Sequence, residues 1–144
     1  MIDGTARDKA VQLLKALLGD GITNYRLEDE WPDQSPDFAL RAVIEQLWFY
    51  YKDFPEKMLT RASFSPDEIK LIERCVVFLT SDREYEWPQY SFATENRTII
   101  ERLLGLGKQY SEEEWERFKS AGEIDAWPFL RLSDYQETIN TSSR

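Results

Sequence analysis

The reactive side chains of this chain are almost all carboxylates. Its 144 residues hold 27 aspartates and glutamates against 18 lysines and arginines, with one cysteine, Cys75, and no histidine. Without imidazole there is no Ser-His-Asp or Cys-His nucleophile. A zinc site built on imidazole or several thiolates is excluded too, and a lone cysteine cannot close a disulfide within the chain. Two kinds of chemistry remain. Carboxylate acid–base catalysis needs two carboxyl groups held at a defined separation, as in glycoside hydrolysis. With 27 acids some pair meets almost any criterion, and the sequence singles none out. Hard-cation binding of the EF-hand kind needs Asp-x-Asp-x-Asp-Gly with a distal glutamate, which is absent. Gly105-Leu106-Gly107-Lys108 has neither a preceding strand nor the Gly-Lys-Ser/Thr ending of a phosphate loop, and reads as a helix cap and turn. Cys75 falls on an apolar helical position, where a thiol acts as a small hydrophobe. No catalytic residue, metal ligand or cofactor is assigned.

The most unusual segment is acidic and aromatic: Asp82-Arg83-Glu84-Tyr85-Glu86-Trp87-Pro88-Gln89-Tyr90-Ser91-Phe92. Tyrosine and tryptophan give large, rigid contact area with a polar handle and concentrate at binding hot spots. The expected partner contacts are therefore Glu84, Tyr85, Glu86, Trp87 and Tyr90, with Glu30 and Trp31 of a similar acidic stretch as a second patch. The competing expectation is that Trp87 and Phe92 pack inward as a lid and leave Glu84 and Glu86 in solvent, since large aromatics are mostly buried. A third acidic run, Glu112-Glu113-Glu114, fits the first turn of a helix, where anions meet the positive end of the dipole.

Net charge is −9. Such a surface repels nucleic acid, whose binding needs cations that displace counterions, and repels anionic membrane for the same reason. A basic protein partner would be steered toward it. The N-terminus carries no basic segment followed by an apolar run, and no stretch approaches the length of a membrane span, so a cytoplasmic location is expected. In composition alone (small, acidic, aromatic-rich) the chain resembles the toxin-neutralising immunity proteins of bacteria, though no motif ties it to a family. The expected function is thus binding of a basic protein. A carboxylate-dependent hydrolase or lyase is the first alternative and would show a deep pocket with converging carboxyl groups. A nucleic-acid mimic ranks below both, because lysines and arginines interrupt every acidic face.

Hydrophobic periodicity supplies the scaffold. A first helix is expected over 5–18, with Ala10, Leu13, Leu14, Leu17 and Leu18 on one stripe and Gly19 and Gly21 ending it. A connection over 22–31 includes a short extended piece at 25–27. Ser35-Pro36-Asp37 opens a helix to residue 51, apolar over a wide arc (Phe38, Ala42, Val43, Leu47, Trp48, Tyr51) and so expected to be central. Ser65-Pro66-Asp67-Glu68 is a capping box that starts a helix to residue 80. Further helices are expected over 94–104 and from a second capping box at Ser111 to Gly122. Residues 123–144 read as irregular, with a polar tail over 138–144 that frays. The expected fold is one all-α domain, 1–137, a bundle of about five helices.

A weak internal repeat overlies this pattern. Glu30-Trp31-Pro32 recurs as Glu86-Trp87-Pro88, and at the same offset Ser35, Arg41, Ile44, Glu45 and Leu47 match Ser91, Arg97, Ile100, Glu101 and Leu103. A third Trp-Pro follows at Trp127-Pro128. Proline pushes the residue before it to an extended conformation, so each Trp-Pro marks a chain entry. Two related helical hairpins is one reading, and coincidence among common helical residues is the other.

Overall fold

The computed structural model describes residues 1–52, 54–89 and 112–142. Among them the chain is mostly helical, with six α-helices and one small sheet. Helix α1, Gly4–Leu18, starts where Asp3 accepts the Ala6 N–H at 3.1 Å, and buries Ala10, Leu13, Leu14 and Leu17 as the periodicity expects. It packs chiefly against α4, Pro66–Thr80. The α4 capping box is formed as the sequence indicates: Ser65 accepts from Glu68 N–H at 3.2 Å, and the Glu68 carboxylate accepts from Ser65 N–H at 2.8 Å. Helix α5 is Glu112–Ser120. The expected helix over 94–104, the glycines after it and the cap at Ser111 lie outside the described residues.

The mostly helical class is as expected, with one small sheet added: β1, Ile22–Thr23, pairs antiparallel with β2, Met58–Leu59, in the register Ile22 with Leu59 and Thr23 with Met58. Two-residue strands are too short to show alternation. Gly21 turns the chain into β1 at φ +103, a conformation other residues rarely adopt, whereas Gly19 ends α1 at φ −103. Three local expectations are corrected. The stretch at 25–27 is helical, inside α2, Asn24–Glu30, because the Thr23 hydroxyl accepts the Arg26 N–H and caps it. Helix α3 is Phe38–Leu47, capped by Asp37 rather than Ser35. It yields to a 3-10 turn, Trp48–Tyr50, before residue 51. Finally, residues 123–142 are not irregular: they hold a 3-10 turn, Ile124–Ala126, and helix α6, Leu132–Ser142, which takes in the part of the expected polar tail that lies among the described residues. The hydroxyls of Thr138 and Thr141 donate to the carbonyls of Asp134 and Glu137 one turn back, which sates these polar side chains within the helix.

One hydrophobic core joins the described elements, with Leu14, Leu40, Ile72, Phe78, Phe118 and Phe129 all essentially sealed from solvent. At its edge lies a buried ion pair. Arg7, 1% exposed, meets Asp37, 2% exposed, with Nε to Oδ2 at 2.6 Å and Nη2 to Oδ1 at 3.3 Å. Arg7 Nη1 also donates to the carbonyls of Ser81 and Arg83, at 3.1 and 2.9 Å, and the guanidinium lies over the Phe78 ring. Asp37 accepts in addition from the N–H groups of Asp3 and Ala39. The pair thus joins α1, the start of α3 and the chain leaving α4.

Burial alone would raise the Asp37 pKa. The bond from Arg7 and the two backbone donors outweigh it and hold the carboxyl below its ordinary 3.8. Removing one partner leaves the other charge buried and unmatched, which costs about 3–5 kcal/mol. Asp37→Ala is therefore expected to lower unfolding stability by about that much in urea titrations. The pH dependence has a definite sign. The stability Asp37 contributes is present above pH 3.8 and is lost as pH falls through the lowered folded-state value. Urea titrations from pH 5 downward check it: the stability gap between the native chain and Asp37→Ala is expected to narrow only below pH 3.8.

Candidate functional site

The segment after α4 has no sheet partner among the described residues, and its side chains alternate as an extended chain requires. Asp82, Glu84 and Glu86 point outward and are exposed, while Arg83 and Tyr85 are half-buried and Trp87 is buried. Two of the expected aromatic contacts are thus structural. The Trp87 indole N–H donates to the Phe129 carbonyl at 3.1 Å, and its ring lies 4.9 Å from that of Phe118. The Tyr85 hydroxyl accepts the Trp127 indole N–H at 2.9 Å, and its ring meets Phe78 and Trp127 edge-on. Burial pushes the Tyr85 phenol pKa well up. Trp31 is buried as well and donates its indole N–H to the Leu40 carbonyl at 3.0 Å. Tyr85, Trp87 and Trp31, expected as partner contacts, thus each have their indole N–H or phenol hydroxyl bonded within the protein, as buried tyrosine and tryptophan usually do. Tyr90 and Phe92 lie outside the described residues.

The acids of the expected site do reach the surface. Glu84 is 58% exposed and holds the N-terminal amine at 3.3 Å. Glu86 is exposed. Glu30, on the last turn of α2, is held below its ordinary pKa by Arg26 and then by Lys9.

All three Trp-Pro tryptophans are buried with a bonded indole N–H, yet they are not used alike. Trp31 bonds the helix that follows it, whereas the stretches 85–87 and 127–129 exchange bonds with each other, Trp87 to Phe129 and Trp127 to Tyr85. The segments carrying the second half of the repeat lie outside the described residues.

Sequence reasoning missed a different set of exposed apolar side chains. Trp48, Phe54 and Met58 are 47%, 75% and 56% exposed, and Phe49 lies at the surface beside them in sequence. Trp48 was expected in the core, but α3 buries Ala39, Leu40, Val43 and Leu47 and ends one residue before Trp48, which stands off that face at the surface. The wide apolar arc over 38–51 was the available signal, read as centrality when part of it is surface. The loop that follows is set by Asn24, which is fully buried. Its side-chain amide donates to the carbonyls of Lys52 and Pro55, at 3.0 and 3.1 Å, and accepts the N–H groups of Lys57 and Tyr25, at 2.9 and 3.1 Å. Both donor hydrogens and the oxygen's two acceptor positions are in use.

A cleft of about 520 Å³ lies between α1, α4 and α6 and is bordered by Asp82 and Glu137. These two carboxylates do not form a catalytic pair of the expected kind, since Arg83 takes Glu137 at 3.2 Å and both acids stand in solvent. Among the described residues no group of three or more histidines, cysteines, aspartates or glutamates is placed to hold a metal ion. Cys75 is fully buried, which pushes its thiol pKa up to about 12 and keeps it from acting as a nucleophile. Among the described residues no helix is long and apolar enough to cross a membrane. Comparison with known proteins finds no matching family model, no matching curated protein and no matching solved structure.

Trp87 gives the direct check on this placement. Trp87→Ala removes a buried indole and leaves the Phe129 carbonyl without its donor, so a loss of about 3–5 kcal/mol in urea unfolding is expected. An effect under 0.5 kcal/mol, the size of an ordinary surface substitution, would contradict it.

Proposed function

We propose that this protein is a non-catalytic binding protein whose partner is a basic protein. The observation that supports this most is the exposure of Trp48, Phe49, Phe54 and Met58, in and around a segment pinned by Asn24. Exposed aromatic and methionine side chains are enriched where proteins meet. A loop already fixed in shape loses little further freedom on association. The charge of −9, with Asp82, Glu84 and Glu86 turned outward, supports a cationic partner, because complementary charge raises the encounter rate. The division of labour differs from the one expected from sequence: apolar anchoring falls to residues 48–58, and the acids supply steering.

The two roles separate experimentally. With immobilised protein and extract of its own source, one or a few basic proteins are expected to be retained at low salt and to associate more slowly as salt rises. Phe54→Ser with Trp48→Ser is expected to speed dissociation at least about tenfold, since hot-spot truncations cost about 2 kcal/mol or more. Glu84→Gln with Glu86→Gln is expected to slow association and flatten its salt dependence while leaving dissociation unchanged. Retention of no basic protein at any salt, or retention indifferent to the Phe54 and Trp48 changes, would overturn the reading.

A further inference from the structure

Helix α6 is attached differently from the other helices. Every other α-helix of the described residues buries side chains of its own; the ten residues of α3, for example, bury Ala39, Leu40, Val43 and Leu47. Over 131–141 no residue is buried. The change is abrupt. Up to Leu130 the chain is fixed: Trp127 and Phe129 are sealed in the core, the Trp127 carbonyl accepts from Arg74 at 2.8 Å, and the Leu130 carbonyl accepts the Glu123 N–H at 2.8 Å. Arg131 is exposed, and α6 starts at the next residue.

The apolar hold on α6 is partial. The Tyr135 ring lies 5.2 Å from that of Phe129, and Ile139, one turn on, is half-buried, while Leu132 is 45% exposed. Between α6 and its neighbours the cleft bordered by Val76, Val77, Thr138 and Thr141 leaves about 520 Å³ open, where a fully seated helix would interdigitate. The hydroxyls of Thr80, Thr138 and Thr141 donate to carbonyls of their own helices, so none donates across the gap. The polar hold falls on one side chain. Arg83 Nε donates to the Thr138 hydroxyl oxygen at 2.8 Å, and its two terminal nitrogens lie 3.6 Å from Asp134 and 3.2 Å from Glu137. These three acceptors share one face of α6, at i, i+3 and i+4. Arg83 is itself held in place, because Arg7 donates to its carbonyl at 2.9 Å. A partly exposed ionic contact of this kind is weak and screened by salt, and a unit with few buried contacts opens well below the free energy of global unfolding. We propose that α6 is a latch closed by Arg83: it leaves α4 as one unit, hinged at Arg131, and so opens the cleft and bares Val76 and Val77 while the core stays folded.

Native-state hydrogen exchange of the full chain, read by NMR, tests this. A free helix of 11 residues is marginal in water, so release from α4 melts it and its amides report the opening. The amides over 136–141 are expected to share one opening free energy, smaller than that of α1 and α4 and with only slight urea dependence. Raising sodium chloride from about 0.1 to about 1 M is expected to speed their exchange relative to α1 at least about twofold. Arg83→Gln is expected to speed it at least about fivefold, leave α1 unchanged and remove the salt effect. The salt response of the native chain stands independently of how the variant folds. Exchange over 136–141 only through global unfolding, exchange graded inward from Ser142 as in simple fraying, or rates indifferent to salt or to Arg83→Gln would each overturn the proposal.

Discussion

The contact between Arg7 and Asp37 is the constraint on which most of this architecture turns. One guanidinium binds a carboxylate at the start of α3 and two carbonyls at the exit of α4, and the same carboxylate caps α3 and takes an amide from the chain before α1. Such a pair is not an efficient source of stability, because desolvating two charges offsets much of their attraction. What it supplies here is registration. Three chain segments far apart in sequence must all arrive for its hydrogen bonds to be made, and any arrangement that omits one leaves a charge sealed from water.

The segment leaving α4 inherits its position from that junction. Since Arg7 holds the carbonyls of Ser81 and Arg83, the extended chain beyond them runs with Tyr85 and Trp87 against the core and its acids outward. The bonds from Trp87 to Phe129 and from Trp127 to Tyr85 then fasten it to the chain before α6. The buried charge, the paired aromatics and the outward carboxylates are successive results of one anchoring. Three of the chain's acids are therefore displayed by the same segment that closes its core.

How much of this was legible in the sequence follows from the range of the interactions involved. Local signals read well: the stripe of α1 and the capping box at Ser65 and Glu68 depend on neighbours within a turn or two. Long-range partners did not. Arg7 drew no reading from the sequence and Asp37 stood only as an acid behind a serine cap, because nothing local shows that they meet. Trp31 and Trp87 sit in acidic stretches that suggest solvent, yet each indole finds a carbonyl elsewhere in the fold. Trp48 erred the other way, since the wide apolar arc over 38–51 suggested a central helix, whereas α3 buries Ala39, Leu40, Val43 and Leu47 and leaves Trp48 off that face. Helix α6 was missed because its polar composition offers only a short apolar stripe, and its threonines satisfy their hydroxyls internally.

Asn24 has a consequence for how such a surface could diversify. A single amide ties Lys52, Pro55 and Lys57 through their main-chain atoms, so these three contacts do not use the side chains of Phe54 or Met58. The outward positions at Phe54 and Met58 are in effect interchangeable facings on a fixed frame. Altering them would retarget the molecule without refolding it, whereas an aspartate at position 24 would set anionic oxygen against two carbonyls and dissolve the frame itself.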